Sequence, residues 1–464
     1  MLLLYFAHVL IGLALLWSLS RGRRALLTVV GFVMPLSGLV VADGVGWSWL
    51  KLLPAFLLVG ALVFPGGRPL TTLPGRRALL ALALWATAVT AGTRIFDFEL
   101  EGLMALASQY GWSGAQNEHR HAVQLVVQAG QWLVFALAYR LAASAADGRA
   151  AANGFIAGNV LSVVVGIYQA IAQGMDLPWL SVADGAALSG HLGTGNLPGN
   201  TLALGPLRVA RLYGLGGEPK HTAALAVMAI GLLLQRDLAD GQGVGPSPHR
   251  RPAMLLLVVG VALTLSTSGW LALAALTLGM TGASGVVRFG NALARRRVVR
   301  LGLNVGLGVL AVMLLSAQLG EEQRDGLVEY RLTDRLSSLD RLARFEPKDA
   351  TAIAFLADRP SVLPFGCGVG GVDFFLLPYN ERVDVGPGRM LTPTYFLTRT
   401  VGEVGLVGLG LVVGVLLAII KGSRPGLGGL FVSLAPLTLV QPILVLTAFL
   451  FLAGALVGPR RADA

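Results

Sequence analysis

Long apolar runs, separated by short basic clusters, are the feature that most constrains the fold of this chain. A helix needs about 20 apolar residues to cross the hydrocarbon core of a bilayer, and such runs recur along most of the sequence. Hydrophobic residues make up 55% of the 464 residues and charged residues only 13%, whereas soluble domains carry roughly 25% charged residues. We therefore predict an all-α, polytopic transmembrane helix bundle of about 12–14 spans.

Each predicted span is an apolar run close to the length that a bilayer requires. Two pairs of runs share one continuous apolar stretch, so either pair could be a single tilted helix, which would shift the topology by one crossing. The spans are predicted at residues 2–19, 25–42, 49–64, 78–93, 122–139, 154–173, 221–235, 252–267, 269–287, 301–318, 400–420, 427–440 and 442–457.

The basic clusters between the runs orient the bundle. Short loops rich in Lys and Arg remain on the cytoplasmic side of a membrane. The net charge of +11 therefore indicates membrane orientation and does not indicate nucleic-acid binding. We predict a bacterial inner-membrane protein with a periplasmic N-terminus and a cytoplasmic C-terminus. The clusters that fall on the cytoplasmic side lie at 21–24, 68–77, 140–149, 236–251, 288–300, 421–424 and 460–461.

The opposite, periplasmic side carries longer and more acidic loops. The longest covers about 318–398, and a loop of that length in a compact chain is usually functional. Its stretches 331–342 and 347–356 have helical spacing, so we predict a partly helical, ordered loop across the outer mouth of the bundle. The predicted organisation is transmembrane helices 1–10 in 1–318, the large periplasmic loop in 319–398, and C-terminal transmembrane helices in 399–464.

Charged residues crowd a Gly-rich turn where one periplasmic loop re-enters the membrane. Arg211, Glu218, Lys220 and His221 lie there, and a helix is predicted to begin near His221. The N-terminus of a helix with nearby cations is a natural anion site. The alternative is a turn at the membrane surface that is anchored by snorkelling charges.

Two further segments carry candidate residues. Arg341 and Arg344 of the large loop could bind a phosphate bidentately, or they could form ion pairs along a solvated helix. Glu403 falls early in a predicted span, where carboxylates are costly and usually functional. It could equally lie at the interface, beside Gly405 and Gly408, which favour close helix packing.

Several common motifs are missing from the sequence. It contains no Walker A loop, no dinucleotide fingerprint, no His-Glu-x-x-His and no Cys-x-x-Cys. ATP-driven transport and hydride chemistry therefore lose support. The lone histidines show no ligand spacing, so we predict no metal site.

In this order, the three segments resemble the O-antigen polymerase and O-antigen ligase superfamily of bacterial membrane glycosyltransferases. The resemblance covers about residues 150–420 and includes a Ser/Thr-rich turn between two spans. Its motifs in this chain are Arg211…Gly214…Glu218-Pro219, the turn Thr264-Leu265-Ser266-Thr267-Ser268-Gly269-Trp270, Arg344 before Pro360 and Gly366-Cys367-Gly368, and Glu403-Val404-Gly405…Gly408.

Two departures favour a polymerase over a ligase. The ligases carry a His and a small polar residue nine residues before a Gly, and Thr394-Tyr395 occupies that position before Gly405. The Arg that usually follows the Ser/Thr turn is replaced by Gly269.

The resemblance implies an inverting, metal-independent glycosyl transfer at the periplasmic face, without a cofactor. The donor would be an oligosaccharide linked to undecaprenyl diphosphate, and the acceptor a lipid-linked repeat unit of an exopolysaccharide or O-antigen. Membrane lipid and a chain-length regulator are the other expected partners. Arg211 and Arg344 would neutralise the diphosphate, and Glu218 would act as base or hold an Arg in place. The residues implied to bind substrate are Lys220, His221, Arg341 and Glu403.

Three alternatives to the polymerase remain open at the level of sequence. One is the O-antigen ligase, and a second is a non-catalytic subunit of polysaccharide assembly. The third, from another class, is a flippase or transporter of lipid-linked oligosaccharides. Transporters often show inverted repeats and charged residues in mid-membrane, and neither feature is clear in this sequence.

Overall fold

A computed structural model provides the structure of the chain. The structure describes residues 2–42, 47–96, 98–109, 120–174, 201–204, 207–210, 212–216, 219–239, 250–264, 347–382, 391–393, 395–423, 425–439 and 443–457. It also describes residue 177 and, near the Ser/Thr-rich turn, residues 266, 269, 272–274 and 276–277.

Helices dominate the described residues, as predicted, and two short antiparallel hairpins join them. The hairpins pair β1 (Val40–Ala42) with β2 (Trp47–Ser48) and β3 (Thr201–Leu204) with β4 (Leu207–Ala210). The α-helices are α1 (Leu2–Arg21), α2 (Arg23–Val33), α3 (Trp49–Val63), α4 (Arg76–Phe96), α5 (Phe98–Gln109), α6 (Arg120–Leu141), α7 (Ala145–Gly174), α8 (Pro219–Ala239), α9 (Arg250–Leu263), α10 (Pro347–Asp358), α11 (Val362–Phe365), α12 (Val372–Phe375), α13 (Phe396–Gly422), α14 (Pro425–Leu439) and α15 (Ile443–Leu456).

Four of these helices are long and apolar enough to cross a membrane. The qualifying stretches are Arg76–Ile95, Ala122–Leu141, Ala145–Ala172 and Phe396–Gly422. Shorter apolar helices add Phe6–Arg21, Trp49–Val63 and Val445–Leu456. The described residues therefore support a helical membrane protein. The predicted spans at 269–287 and 301–318 fall largely or wholly outside them.

Three of the basic clusters meet at one end of the bundle, which we call the basic end. The backbone N–H of Arg68 donates to the carbonyl of Arg140 at 2.9 Å, and the Arg140 guanidinium donates to the carbonyl of Gly67 at 2.8 Å. The Arg23 guanidinium reaches the carbonyl of Gly66 at 3.1 Å. Gly422, at the end of α13, lies beside Pro74. The clusters at 21–24, 68–77 and 140–149 thus share one end, as the sequence predicts.

Helices α2 and α7 pack more closely than any other pair of described helices. Gly154 and Gly158 of α7 are one helical turn apart, and a Cβ on either would overlap the backbone of α2 at Thr28 or Phe32. Gly31 of α2 faces the backbone of α7 in the same way. Small residues at this spacing let two helix backbones touch, which is the usual basis of close packing in membranes.

The boundaries of two predicted elements were wrong. Helix α2 ends at Val33 rather than 42, because Pro35 cannot donate a helical hydrogen bond. Helix α7 begins at Ala145 rather than 154, because Ser144 and Asp147 form a capping box with reciprocal bonds of 2.9 and 3.2 Å. Residues 94–120, which separate the predicted spans 78–93 and 122–139, contain helix α5.

Candidate functional site

The predicted site residues divide into those that the structure describes and those that it does not. Arg211, Glu218, Arg341 and Arg344 lie outside the described residues. The structure describes the other three: Lys220 and His221 lie in α8, and Glu403 lies in α13.

Lys220 and His221 occupy the first turn of α8, which confirms the predicted helix start near His221. Lys220 is half-buried and His221 is buried. The preceding turn is held by α7, since Gly214 N–H donates to Gln169 Oε1 at 3.0 Å and Leu215 N–H to Ser162 Oγ at 2.8 Å. Hydrogen bonds to α7 therefore hold this Gly-rich turn in place beside the N-terminus of α8.

Helix α13 is broken at Gly405, nine residues after its start. Gly405 has φ +70° and ψ −174°, a conformation in which a side chain is strained. The break frees carbonyl groups of the preceding turn, and buried carbonyls in a membrane bundle require partners. Trp85 of α4 supplies one of them, because its indole Nε1 donates to the Val404 carbonyl at 2.8 Å.

The other partners come from residues 366–371 of the large loop, which we call the glycine loop. Cys367 N–H donates to the Gly402 carbonyl and Gly368 N–H to the Glu403 carbonyl, both at 2.9 Å. Gly366, Gly368 and Gly370 all have positive φ values, so the loop follows a path that other residues rarely adopt. A Cβ on Gly366 would overlap the backbone of Glu403. The loop is thus fitted directly against the broken helix.

The Glu403 carboxylate lies at the centre of this junction, with 2% of its side chain exposed. Oε1 accepts from the Arg399 guanidinium and from the Gly370 N–H, each at 3.0 Å. Oε2 accepts from the Gln128 side chain of α6. These three donors satisfy both carboxylate oxygens. Glu403 therefore anchors the glycine loop to α13 and α6.

Arg399 connects this junction to the surface of the bundle. Its side chain is 16% exposed, and a second guanidinium nitrogen, Nη2, donates to Gln124 of α6 at 3.3 Å. Arg399 also interacts electrostatically with Asp373 in α12, which carries the opposite charge, and with Lys51 in α3, which carries the same charge. Acidic and basic side chains of α3, α12 and α13 therefore lie near one another, beside α6. They lie at the end of the bundle opposite the basic end, which we call the loop end.

The large loop is ordered where the structure describes it. Helix α10 confirms the predicted helical spacing in 347–356, while the predicted stretch 331–342 lies outside the described residues. Phe355 is fully buried and packs against Phe375 at 6.0 Å between ring centroids. This small core also includes Leu103 and Ala107 of α5.

An aspartate of the loop fixes the start of α13. Asp349 of α10 is fully buried and accepts from the Tyr395 N–H at 3.0 Å and from the Thr398 hydroxyl. The Asp349 carboxylate thus ties α10 to the residue that precedes α13 and to Thr398 in its first turn. Tyr395, at the position where the ligases carry their polar residue, takes part in this contact through its backbone N–H.

The surroundings of Gly269 give a structural reason why this chain has glycine where the resemblance leads one to expect the Arg after the Ser/Thr-rich turn. A Cβ at this position would lie 2.5 Å from the Cβ of Ala223 in α8. No larger side chain fits there without displacing α8.

Sequence reasoning missed several residues of the junction, although signals for them exist. Arg399 precedes Glu403 by four residues, which is the spacing of a helical ion pair. Gln124 and Gln128 have the same spacing within the predicted span 122–139. Lys51 is a lone cation near the start of the predicted span 49–64, and intramembrane charges deserve a functional hypothesis.

No family model matches this chain, and the comparison with curated proteins finds no match either.

Proposed function

We propose that the chain is a polysaccharide polymerase. It would transfer a glycan from undecaprenyl diphosphate to a sugar hydroxyl of a lipid-linked repeat unit, at the periplasmic face of the bacterial inner membrane. The transfer would be inverting, as the resemblance implies: the hydroxyl oxygen would bond the anomeric carbon as the bond to undecaprenyl diphosphate breaks, and the hydroxyl proton would pass to a base, for which Glu218 is the candidate.

The contact between the glycine loop and the break in α13 is the observation that carries this proposal. Gly366-Cys367-Gly368 lies within the large loop and Glu403-Val404-Gly405 follows that loop. These two motifs of the resemblance meet through hydrogen bonds from Cys367 and Gly368 to the carbonyls of Gly402 and Glu403. The first motif approaches the Ser/Thr-rich turn in a similar way, since Leu212 N–H donates to the Leu263 carbonyl at 3.1 Å. Motifs that are distant in sequence but meet in space support a shared function for the ordered set.

The loop end contains a guanidinium group, that of Arg399, of the kind that such a reaction would use. A diphosphate leaving group needs fixed cations in a partly dry site, and guanidinium groups supply them with bidentate hydrogen bonds. Arg399 lies at this end in contact with Glu403. In our proposal Arg211 and Arg344 join it there, with Arg341 as the alternative to Arg344.

A transporter of lipid-linked oligosaccharides is the second candidate, and the break in α13 favours it. Discontinuous helices are common at the binding sites of secondary transporters. In this chain, however, Trp85 and the glycine loop donate hydrogen bonds to carbonyls at the break. The break therefore fits a fixed loop anchor better than an ion site.

Reconstitution distinguishes the two candidates. Purified protein in liposomes, supplied with undecaprenyl-diphosphate-linked repeat units, should form a ladder of longer glycans. Arg211→Ala and Arg344→Ala should each abolish the ladder at normal protein levels, and Arg→Lys should rescue poorly because a point charge does not replace the planar fork. Arg149→Ala is the matched control, since Arg149 is exposed in the first turns of α7 at the basic end. Movement of repeat units between leaflets without any ladder would instead favour the transporter.

A further inference from the structure

Four consecutive N–H groups of the glycine loop, at residues 367–370, all donate to atoms of α4 or α13. The first two bond carbonyls of α13, as described above. Val369 N–H donates to Thr90 Oγ1 of α4 and Gly370 N–H to Glu403 Oε1 of α13, both at 3.0 Å. A loop in water can leave N–H groups to the solvent, whereas irregular backbone within a membrane needs a partner in the protein for each of them. The N–H groups of the glycine loop meet the requirement for backbone inside a membrane.

Helix α4 sets the depth of this contact. Its stretch Arg76–Ile95 is long and apolar enough to cross a membrane. Trp85 is nine residues beyond Arg76, which places it about 14 Å along the helix from the basic end, in a hydrocarbon core about 30 Å thick. Phe365 of α11 lies against Trp85, with 5.9 Å between ring centroids. Phe365 therefore lies near the middle of the distance that α4 crosses.

The chain approaches this depth and leaves it at the same end of the bundle. Helix α10 precedes the segment and α12 follows it, and the two pack together through Phe355 and Phe375. Their small core includes Leu103 of α5, which begins at Phe98, just beyond the end of α4. Both flanking helices therefore lie at the loop end, and the chain between them descends toward the basic end and returns.

The outer face of the segment is apolar and exposed. Phe365 is 56% exposed, and its neighbourhood includes Leu84 of α4, at 73%, and Leu406 of α13, at 48%. These two leucines are next in sequence to Trp85 and Gly405, which contact α11. An apolar surface at this depth of a bilayer has hydrocarbon chains around it. The exposure of Phe365 fits contact with lipid rather than with water.

We infer that residues 362–371 form a re-entrant segment, which enters the membrane from the large loop and presents Phe365 to the acyl chains of the bilayer. Its partner is the hydrocarbon interior itself, because the outward-facing Phe365 is apolar and the N–H groups at 367–370 are bonded within the protein. Part of the large loop then lies inside the membrane, and not across the outer mouth of the bundle. The inference goes beyond the proposed function and holds whether or not the chain is a polymerase.

A nitroxide label at residue 365 of the full chain in liposomes tests the inference. Phe365→Cys is made in a Cys367→Ser background, where the serine hydroxyl can donate to the Gly402 carbonyl as the thiol does. Collisions of the label with oxygen, which concentrates in hydrocarbon, and with a water-soluble nickel chelate are then measured. Leu84→Cys and Arg149→Cys are the matched controls, since Leu84 is exposed at mid-length of α4 and Arg149 is exposed at the basic end.

We expect the label at residue 365 to match the one at residue 84, with frequent oxygen collisions and few nickel collisions. Nickel collisions as frequent as at residue 149 would place the segment in water and overturn the inference. A thermal unfolding midpoint near that of the parent chain shows that each labelled protein is folded.

A charge at residue 365 supplies a second measurement that needs no label. Phe365→Asp should lower the equilibrium constant for folding in detergent by about 100-fold relative to Phe365→Leu, because a carboxylate at the centre of the apolar layer is costly. Leu70→Asp is the control, since Leu70 is 43% exposed at the basic end, and it should be tolerated. Equal tolerance of aspartate at residues 365 and 70 would overturn the inference.

Discussion

The bundle contains a buried carboxylate paired with arginine near each end, and the two differ in what they hold. At the basic end, Asp147 caps α7 and lies 3.8 and 3.5 Å from Arg23 and Arg24, whose side chains are 34% and 65% exposed. At the loop end, Glu403 bonds a largely buried Arg399 at 3.0 Å. It also bonds Gln128 of α6 and the backbone of the glycine loop.

The difference indicates different tasks for the two groups. Asp147 bonds mainly residues next to it in sequence, and its arginine partners are in solvent, where ion pairs stabilise little. Glu403 connects segments that are far apart in sequence, and its charge is neutralised within the protein. We expect changes at Asp147 to affect one helix end and changes at Glu403 to affect the position of the whole loop.

Gly405→Ala should have the largest effect. Alanine at φ +70° is strained, and its Cβ would overlap the Pro364 carbonyl beside the glycine loop. Together we expect a loss of about 3–5 kcal/mol in unfolding free energy, measured by denaturant titration in detergent. Gly410→Ala is the matched control in the same helix, since nothing lies within 4 Å of its Cβ position, and it should be neutral or stabilising. Equal losses in the two variants would show that the loop does not depend on the break.

Glu403→Gln should have an intermediate effect. The substitution leaves the Arg399 charge without its carboxylate in a mostly buried position, which should cost about 2 kcal/mol. In the double variant with Arg399→Gln the losses should be less than additive, because the same interaction is removed twice.

Activity separates the two roles of Glu403. We expect Glu403→Gln to retain part of any polymer formation, because the glutamine can still accept from the Gly370 N–H. Complete loss of activity at normal expression and a near-normal unfolding midpoint would place Glu403 in the catalytic machinery instead.

Asp147→Asn should have the smallest effect. The asparagine can still bond the first turn of α7, and the lost ion pairs are solvent-exposed, so we expect less than about 1 kcal/mol. The thermal midpoint of the purified variant, compared with that of Glu403→Gln, measures the contrast directly. A loss as large as that of Glu403→Gln would remove the distinction between the two ends.

The positions of most helices could be predicted from the sequence, because membrane spans depend on local apolar length. Helices α3, α4, α6, α8 and α13 begin or end within a few residues of the predicted spans. The end of α2 depends on Pro35 and the start of α7 on Ser144, which are signals of single residues that a hydropathy pattern averages away.

The surroundings of Glu403 could not be predicted from the sequence. Its importance follows from a carboxylate early in a span, but Gln128 and Gly370 are 275 and 33 residues away in the chain. Nothing local indicates which of many polar residues will meet across the bundle. The convergence of Arg211 with Arg344 stays a prediction, since both lie outside the described residues.

The glycine seam between α2 and α7 has a consequence for how the chain is made. Helix α2 has only 11 residues, roughly half the length that a span requires, so it gains little from lipid alone. Its partner surface around Gly154 and Gly158 is synthesised more than 100 residues later, which takes about 5–20 s at usual translation rates. We therefore expect the N-terminal segment to reach its final packing only after α7 has been synthesised.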